Sequence, residues 1–205
     1  MTDSTTVRRR KVLAILAGGL VVGIGAAYTL ANWNDSEFAT AGFAAGSFNL
    51  EGSLDDATYA EHSDAAGAQQ LDHVQFVADT SNMVPGEVAY DSFFVRLDDD
   101  TSVDGTLAQA SVAATGAADQ YGYVVAAIDP AATCDATTVA AGTVLGDGAT
   151  LDANTAAATV DLLHGDGVPG ASVQLCFAVT ASEDLAQGAT STATWEFQAT
   201  SNDAA

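Results

Sequence analysis

Val173-Gln-Leu-Cys-Phe-Ala-Val179 sets Val173, Leu175, Phe177 and Val179 on one parity and Gln174, Cys176 and Ala178 on the other. A period of two sends alternate side chains to opposite faces of an extended chain, so this stretch reads as a half-buried β-strand. Trp195 and Phe197, between Thr194, Glu196 and Gln198, repeat the pattern. Working outward, the same reading places strands at residues 47–50, 74–78, 89–97, 107–114, 123–128 and 159–163. Turn-forming clusters separate them: Val84-Pro-Gly-Glu87, Asp98-Asp-Asp-Thr-Ser-Val-Asp-Gly105, Gly146-Asp-Gly148 and His164-Gly-Asp-Gly-Val-Pro-Gly170. Strands spaced by Gly, Pro and Asp turns predict an all-β antiparallel sandwich. Residues 55–71, with Ala, Glu and Gln, predict a short helix or loop. Residues 131–144 and 149–159 have small apolar side chains that pack lightly, and read as edge strands or surface loops.

The chain has 205 residues and a formal net charge of −22, from 27 acidic and 5 basic residues. Arg8, Arg9, Arg10 and Lys11 take four of the five, leaving Arg96 as the only base in the rest of the chain. Phosphate backbones are gripped by Lys and Arg, so this composition excludes nucleic-acid binding. It also argues against docking of the folded part on anionic lipid, which needs clustered bases. The length fits one domain.

After the basic run comes the uncharged stretch 12–31, ending before the polar Asn32-Trp-Asn-Asp35. A basic region, an apolar region and small residues before a polar start are the parts of a secretory signal. Thr29 and Ala31 occupy positions −3 and −1 of a cut between Ala31 and Asn32, with Gly25 and Ala27 as the second choice. The alternative is an uncleaved membrane anchor, since about 20 apolar residues span a hydrocarbon core. On the first reading residues 1–31 are signal, 32–45 a mature N-terminal segment and 46–205 the sandwich. The membrane is then met only through the signal before cleavage. Removing Asp3 with the signal leaves 26 acids against Arg96, a charge of about −25.

Cys134 and Cys176 are the only cysteines. Both lie in the exported part, where oxidation persists, and a disulfide between them is expected. A redox-active pair would favour a C-x-x-C spacing instead.

The three histidines, His62, His73 and His164, do not form H-E-x-x-H, the spacing that sets two zinc ligands on one helical face. Neither a G-x-S-x-G elbow nor a phosphate-binding glycine loop occurs. The Asp98–Gly105 cluster lacks the central Gly and final Glu of an EF-hand and reads as a solvated hairpin tip. No cofactor, catalytic residue or metal ligand is expected.

Four motifs occur in order: Asn32-Trp-Asn-Asp35, then Ala41-Gly-Phe-Ala-Ala-Gly-Ser-Phe-Asn-Leu50, then Met83-Val-Pro-Gly-Glu87 before an aromatic strand, then Ala193-Thr-Trp-Glu-Phe-Gln-Ala199. Together they resemble the TasA/camelysin family, whose members carry a signal peptide cut by a SipW-type signal peptidase. The resemblance covers both ends and the first third of the mature chain, and none of residues 116–169. It implies a jelly-roll-like β-sandwich that is exported and polymerises with itself into extracellular or cell-surface fibres. The segment 32–45 would add as a strand to the next copy, with Trp33, Phe38 and Phe43 filling pockets. Strand addition draws affinity from main-chain hydrogen bonds and register from alternating side chains. Two other functions stand beside it: a monomeric secreted or envelope-anchored binding module, and a camelysin-like metallopeptidase.

Overall fold

The computed structural model describes residues 4–29, 40–41, 46–71, 82–156 and 158–202. The chain divides into two compact units, Met1–Ala44 and Ala45–Ala205. In the first, helix α1 (Ser4–Thr29) carries the basic run and the apolar stretch. Its side chains from Val7 to Val21 are exposed on every side, Ile15 by 74%. Among the described residues no helix is long and apolar enough to cross a membrane.

The second unit is built from β1 (Leu50–Ser53), β2 (Val88–Leu97), β3 (Gly105–Gly116), β4 (Tyr121–Ile128), α2 (Ala136–Ala141), β5 (Thr143–Gly148), β6 (Thr155–Ala156), β7 (Val160–Leu162), β8 (Val173–Ala181) and β9 (Ser191–Ser201). All pairings between them are antiparallel. One sheet runs β1-β2-β8-β4-β5-β6 and the other β7-β3-β9. The two inner faces close on Leu97, Leu107, Val125, Leu145, Leu162, Leu175 and Phe177, all buried. The chain is thus an all-β sandwich, and the period-two stretches became β2, β3, β4, β7, β8 and β9. The expected strand at 74–78 lies outside the described residues.

Strand β8 departs from the half-buried expectation. Gln174, Cys176 and Ala178, on its outer parity, are as buried as Leu175 and Phe177. The Cys134–Cys176 disulfide, with Cα atoms 5.3 Å apart, fastens the segment between β4 and β5 over that outer face. Helix α2 sits in this segment, where the sequence suggested light edge strands or loops. Its start is a capping box: the Asp135 carboxylate accepts from the backbone of Thr137 and Thr138, while the Thr138 hydroxyl accepts from the Asp135 N–H at 3.0 Å.

Gly146-Asp-Gly148, expected as a turn, belongs to β5. Both glycines are there because the sandwich leaves no room for a side chain: a Cβ on Gly146 would stand 2.4 Å from Gln109 Oε1, and one on Gly148 2.4 Å from the Ala153 carbonyl. The strand expected at 47–50 starts later, at Leu50. Ser47 instead bridges Thr101, and β1 sets Glu51 opposite Arg96. Residues 55–71 hold one turn of 3-10 helix, Ala65–Gly67, capped by Asp64. Val84–Glu87 is a tight turn with Gly86 at φ 75°, closed by the Glu87 N–H on the Val84 carbonyl at 3.1 Å.

Candidate functional site

An edge strand exposes main-chain donors and acceptors, and folded proteins keep such edges short or covered. Three edges of this sandwich follow that rule. β1 has four residues and is bridged by Ala60, β6 has two, and β7 has three. The fourth edge, β9, has eleven residues and pairs only with β3 among the described residues.

The register of β9 follows from its side chains. Ala193, Trp195, Phe197 and Ala199 face the interior, and Thr192, Thr194, Glu196, Gln198 and Thr200 face outward opposite Thr115, Ala113, Ser111, Ala108 and Thr106. The Trp195 ring stands edge-on to Tyr123 at 5.5 Å and to Phe177 at 5.2 Å, and Phe197 meets Phe177 at 5.8 Å. These inward residues remain only half-buried, and among the described residues no strand flanks them on the open side. A strand added there would gain main-chain hydrogen bonds and cover apolar surface at once.

Behind Trp195 lies a polar group within the sandwich. Buried Gln109, at a bulge in β3, donates to the Tyr123 hydroxyl at 2.6 Å and to Asn154 Oδ1 at 3.0 Å. Burial holds the Tyr123 phenol above its ordinary pKa, the Gln109 hydrogen bond opposing and the Asp147 charge adding. Tyr123 therefore stays neutral and serves as an acceptor that fixes Gln109. Gln109 was not singled out from the sequence, where its only signal is that it shares the parity of Leu107.

Of the residues singled out from sequence, Cys134 and Cys176 are bonded to each other and both buried. Ala31, Asn32, Trp33, Phe38 and Phe43, the cleavage and donor positions, lie outside the described residues, as does His73. His62 Nε2 is 3.0 Å from Gln69 Oε1, and its ring stands edge-on to Phe93. His164 is tied to Asp104, ring Nδ1 to Oδ1 at 2.7 Å and backbone N–H to the same oxygen at 2.9 Å. This contact holds the Asp104 carboxyl below its ordinary pKa. Among the described residues no three His, Cys, Asp or Glu side chains converge as a metal would need.

The Asp98–Gly105 cluster is tied to the Gly-Ser-Phe-Asn-Leu motif. Asn49 Nδ2 donates to Asp98 Oδ2 at 3.0 Å and to Glu61 Oε1 at 2.7 Å, and the Thr101 hydroxyl donates to Asp98 Oδ1 at 2.7 Å. Burial works to raise the Asp98 pKa, but the bonds from Thr101 and Asn49 outweigh it and hold the carboxyl low. Phe48 packs against the core beside Gly105. Arg96 donates from Nε to Glu51 at 2.6 Å, and its guanidinium lies 3.6 Å over the Tyr59 ring. A shallow hollow of about 240 Å3, with Asp119, Tyr121, Thr180 and Ser182 on its wall, falls below the roughly 300–1,000 Å3 typical of ligand pockets.

No protein-family model and no curated protein matches this chain. The fold and the open edge therefore carry the functional reading.

Proposed function

We propose that the chain is a secreted structural subunit, without enzymatic activity, that polymerises into extracellular or cell-surface fibres. After a SipW-type signal peptidase cuts between Ala31 and Asn32, residues 32–45 of one copy add as a strand to the sandwich of the next. The observation that carries this reading is the eleven-residue β9, paired on one side only among the described residues. A donated strand leaves the donor's own edge open for another copy, and a head-to-tail contact that does not close produces filaments. The buried disulfide fits an oxidising compartment and thus export.

Trp33 and Phe43 share one parity and Phe38 has the other, so in a regular added strand Trp33 and Phe43 would reach the same face. Full burial of an aromatic contributes about 1.5–3 kcal/mol, against an ordering cost of roughly 1–2 kcal/mol for each backbone residue. Aromatic burial alone does not suffice, and main-chain pairing with a preformed edge supplies the remainder. A charge near −25 on each subunit opposes assembly, so added salt strengthens it by screening.

The test is secretion of the full chain beside a variant lacking residues 32–45, each viewed by negative-stain microscopy. Filaments from the first and folded monomers from the second are expected. Filaments from both would reject strand donation by this segment. A full chain that stays monomeric at high concentration and salt would favour the secreted binding module.

A further inference from the structure

The order of residues along β9 is Ser-Thr-Ala-Thr-Trp-Glu-Phe-Gln-Ala-Thr-Ser, from Ser191 to Ser201. Read from either end it begins Ser-Thr-Ala, continues through a polar residue and an aromatic, and meets at Glu196. An antiparallel pair brings residues together in opposite order, so a strand of this pattern complements itself. We propose that the open edge of β9 pairs with β9 of a second copy, antiparallel, about a two-fold axis through Glu196.

Three features favour a second copy over another partner. In that register Trp195 stands opposite Phe197 of the partner copy, and Ala193 opposite its Ala199. Both pairs lie on the inward face, where these side chains remain half-exposed within one copy. On the outward face Thr192 meets Thr200, and Thr194 meets Gln198. Aromatic pairs and hydroxyl pairs directly opposite one another are favourable cross-strand contacts. The second feature is length, since all eleven residues take part and β7-β3-β9 is continued as one sheet of six strands. The third is the edge itself: β9 carries no Pro and no Lys, the residues that normally guard an exposed edge.

The one unfavourable contact falls on the axis. Glu196 would face its own copy, and like charges directly opposite are destabilising. Within one copy its Oε2 accepts from the Ser111 hydroxyl at 2.7 Å, which positions the carboxylate without neutralising it. The pairing is therefore weak at low salt and grows stronger when the Glu196 charge is removed or screened. Where the fibre reading also holds, such a dimer occupies the acceptor edge on both copies and acts as a reserve that cannot elongate.

The register makes a sharp test by disulfide trapping in the full secreted chain, whose own cysteines are already bonded to each other. Glu196→Cys should link to itself under mild oxidation. Neither Thr192→Cys nor Thr200→Cys should link to itself, but a mixture of the two should give the mixed dimer. Glu196→Gln should lower the concentration needed for dimerisation in sedimentation velocity by up to about tenfold, which corresponds to about 1.4 kcal/mol. Lack of a Glu196→Cys dimer, or a Thr192→Cys dimer as abundant as the mixed one, would overturn the pairing. Filaments are scored separately on the uncrosslinked wild-type chain: trapping of the variants with no wild-type filaments would retain the dimer and reject the fibre, and wild-type filaments without trapping would do the reverse.

Discussion

The Phe177 ring of one sheet meets the Trp195 ring of the other edge to face, with centroids 5.2 Å apart. Phe177 belongs to β8, the strand hydrogen-bonded on both sides to β2 and β4, while Trp195 belongs to the open-edged β9. This contact transmits the packing of the best-buried strand to the least protected one. Phe177→Ala should cost about 3–5 kcal/mol in chemical unfolding, as truncation of a buried aromatic does. Phe177→Leu, which leaves most of the volume filled, should cost clearly less.

Replacing Cys134 and Cys176 together by Ser should lower stability by about 2–4 kcal/mol, the usual contribution of a bridge closing a loop of this size. The separation of 42 positions joins the α2 segment to the central strand. Non-reducing peptide mapping should recover the Cys134–Cys176 linkage from the purified protein, and denaturant titration of the double variant measures the cost. A double variant as stable as the wild type would show that the segment stays seated without its bridge.

Acid should destabilise the sandwich through four carboxyls. Asp55 is held below its ordinary value of 3.8 by the backbone N–H groups of Thr58 and Ala57, and Asp104 by the His164 ring. Asp135 is lowered by the Thr138 backbone, and Asp98 by Thr101 and Asn49 against its burial. A group whose pKa is depressed by folding stabilises fully above its unfolded value and loses that contribution as pH falls through the folded one. Stability should therefore hold down to about pH 5 and decline below about pH 4. Thermal melts of Asp135→Asn should show a shallower decline over the same interval.

Arg96→Met should destabilise by about 1–3 kcal/mol, because it removes a charged hydrogen bond and a stacking partner together. Glu51 would then face the sheet without its guanidinium, and Tyr59 without its cation. Arg96→Lys should recover only part of the loss, since an ammonium matches neither the planar stack nor the Nε geometry. Urea midpoints of the three proteins decide this.

Strands with a strict period of two were legible because their large side chains point one way. β2, β4, β8 and β9 came through for that reason, and β3 in spite of a bulge after Gln109 that turns Leu107 and Val112, on opposite parities, to the same face. β5 did not, because Gly146 and Gly148 mimic a turn when their small size answers crowding, at Gly146 by Gln109 far away in sequence and at Gly148 by the Thr150 and Ala153 carbonyls just beyond it. Helix α2 is short and Ala-rich, and its only local sign was Asp135 three residues before Thr138, a capping box with Thr in place of Glu or Gln. That β8 is buried on both faces depends on what the disulfide holds over it, and alternation alone carries no sign of a cover. The open edge was legible as a final aromatic strand but not as an edge, since strand order is a property of the whole sheet.

The placement of Arg96 also bears on how the sandwich withstands proteolysis. Apart from the run Arg8 to Lys11, it is the only residue after which a trypsin-like protease could cut. The bond that follows it closes β2, where Arg96 and Leu97 pair with Glu51 and Leu50 of β1 and the Leu97 carbonyl accepts from the Gly170 N–H at 2.9 Å, with the Arg96 side chain stacked on Tyr59 and bonded to Glu51. A protease must draw an extended, unpaired stretch of chain into its cleft, and this one is available only on unfolding. In a surrounding rich in secreted digestive enzymes of basic specificity, the folded sandwich offers them no site at all.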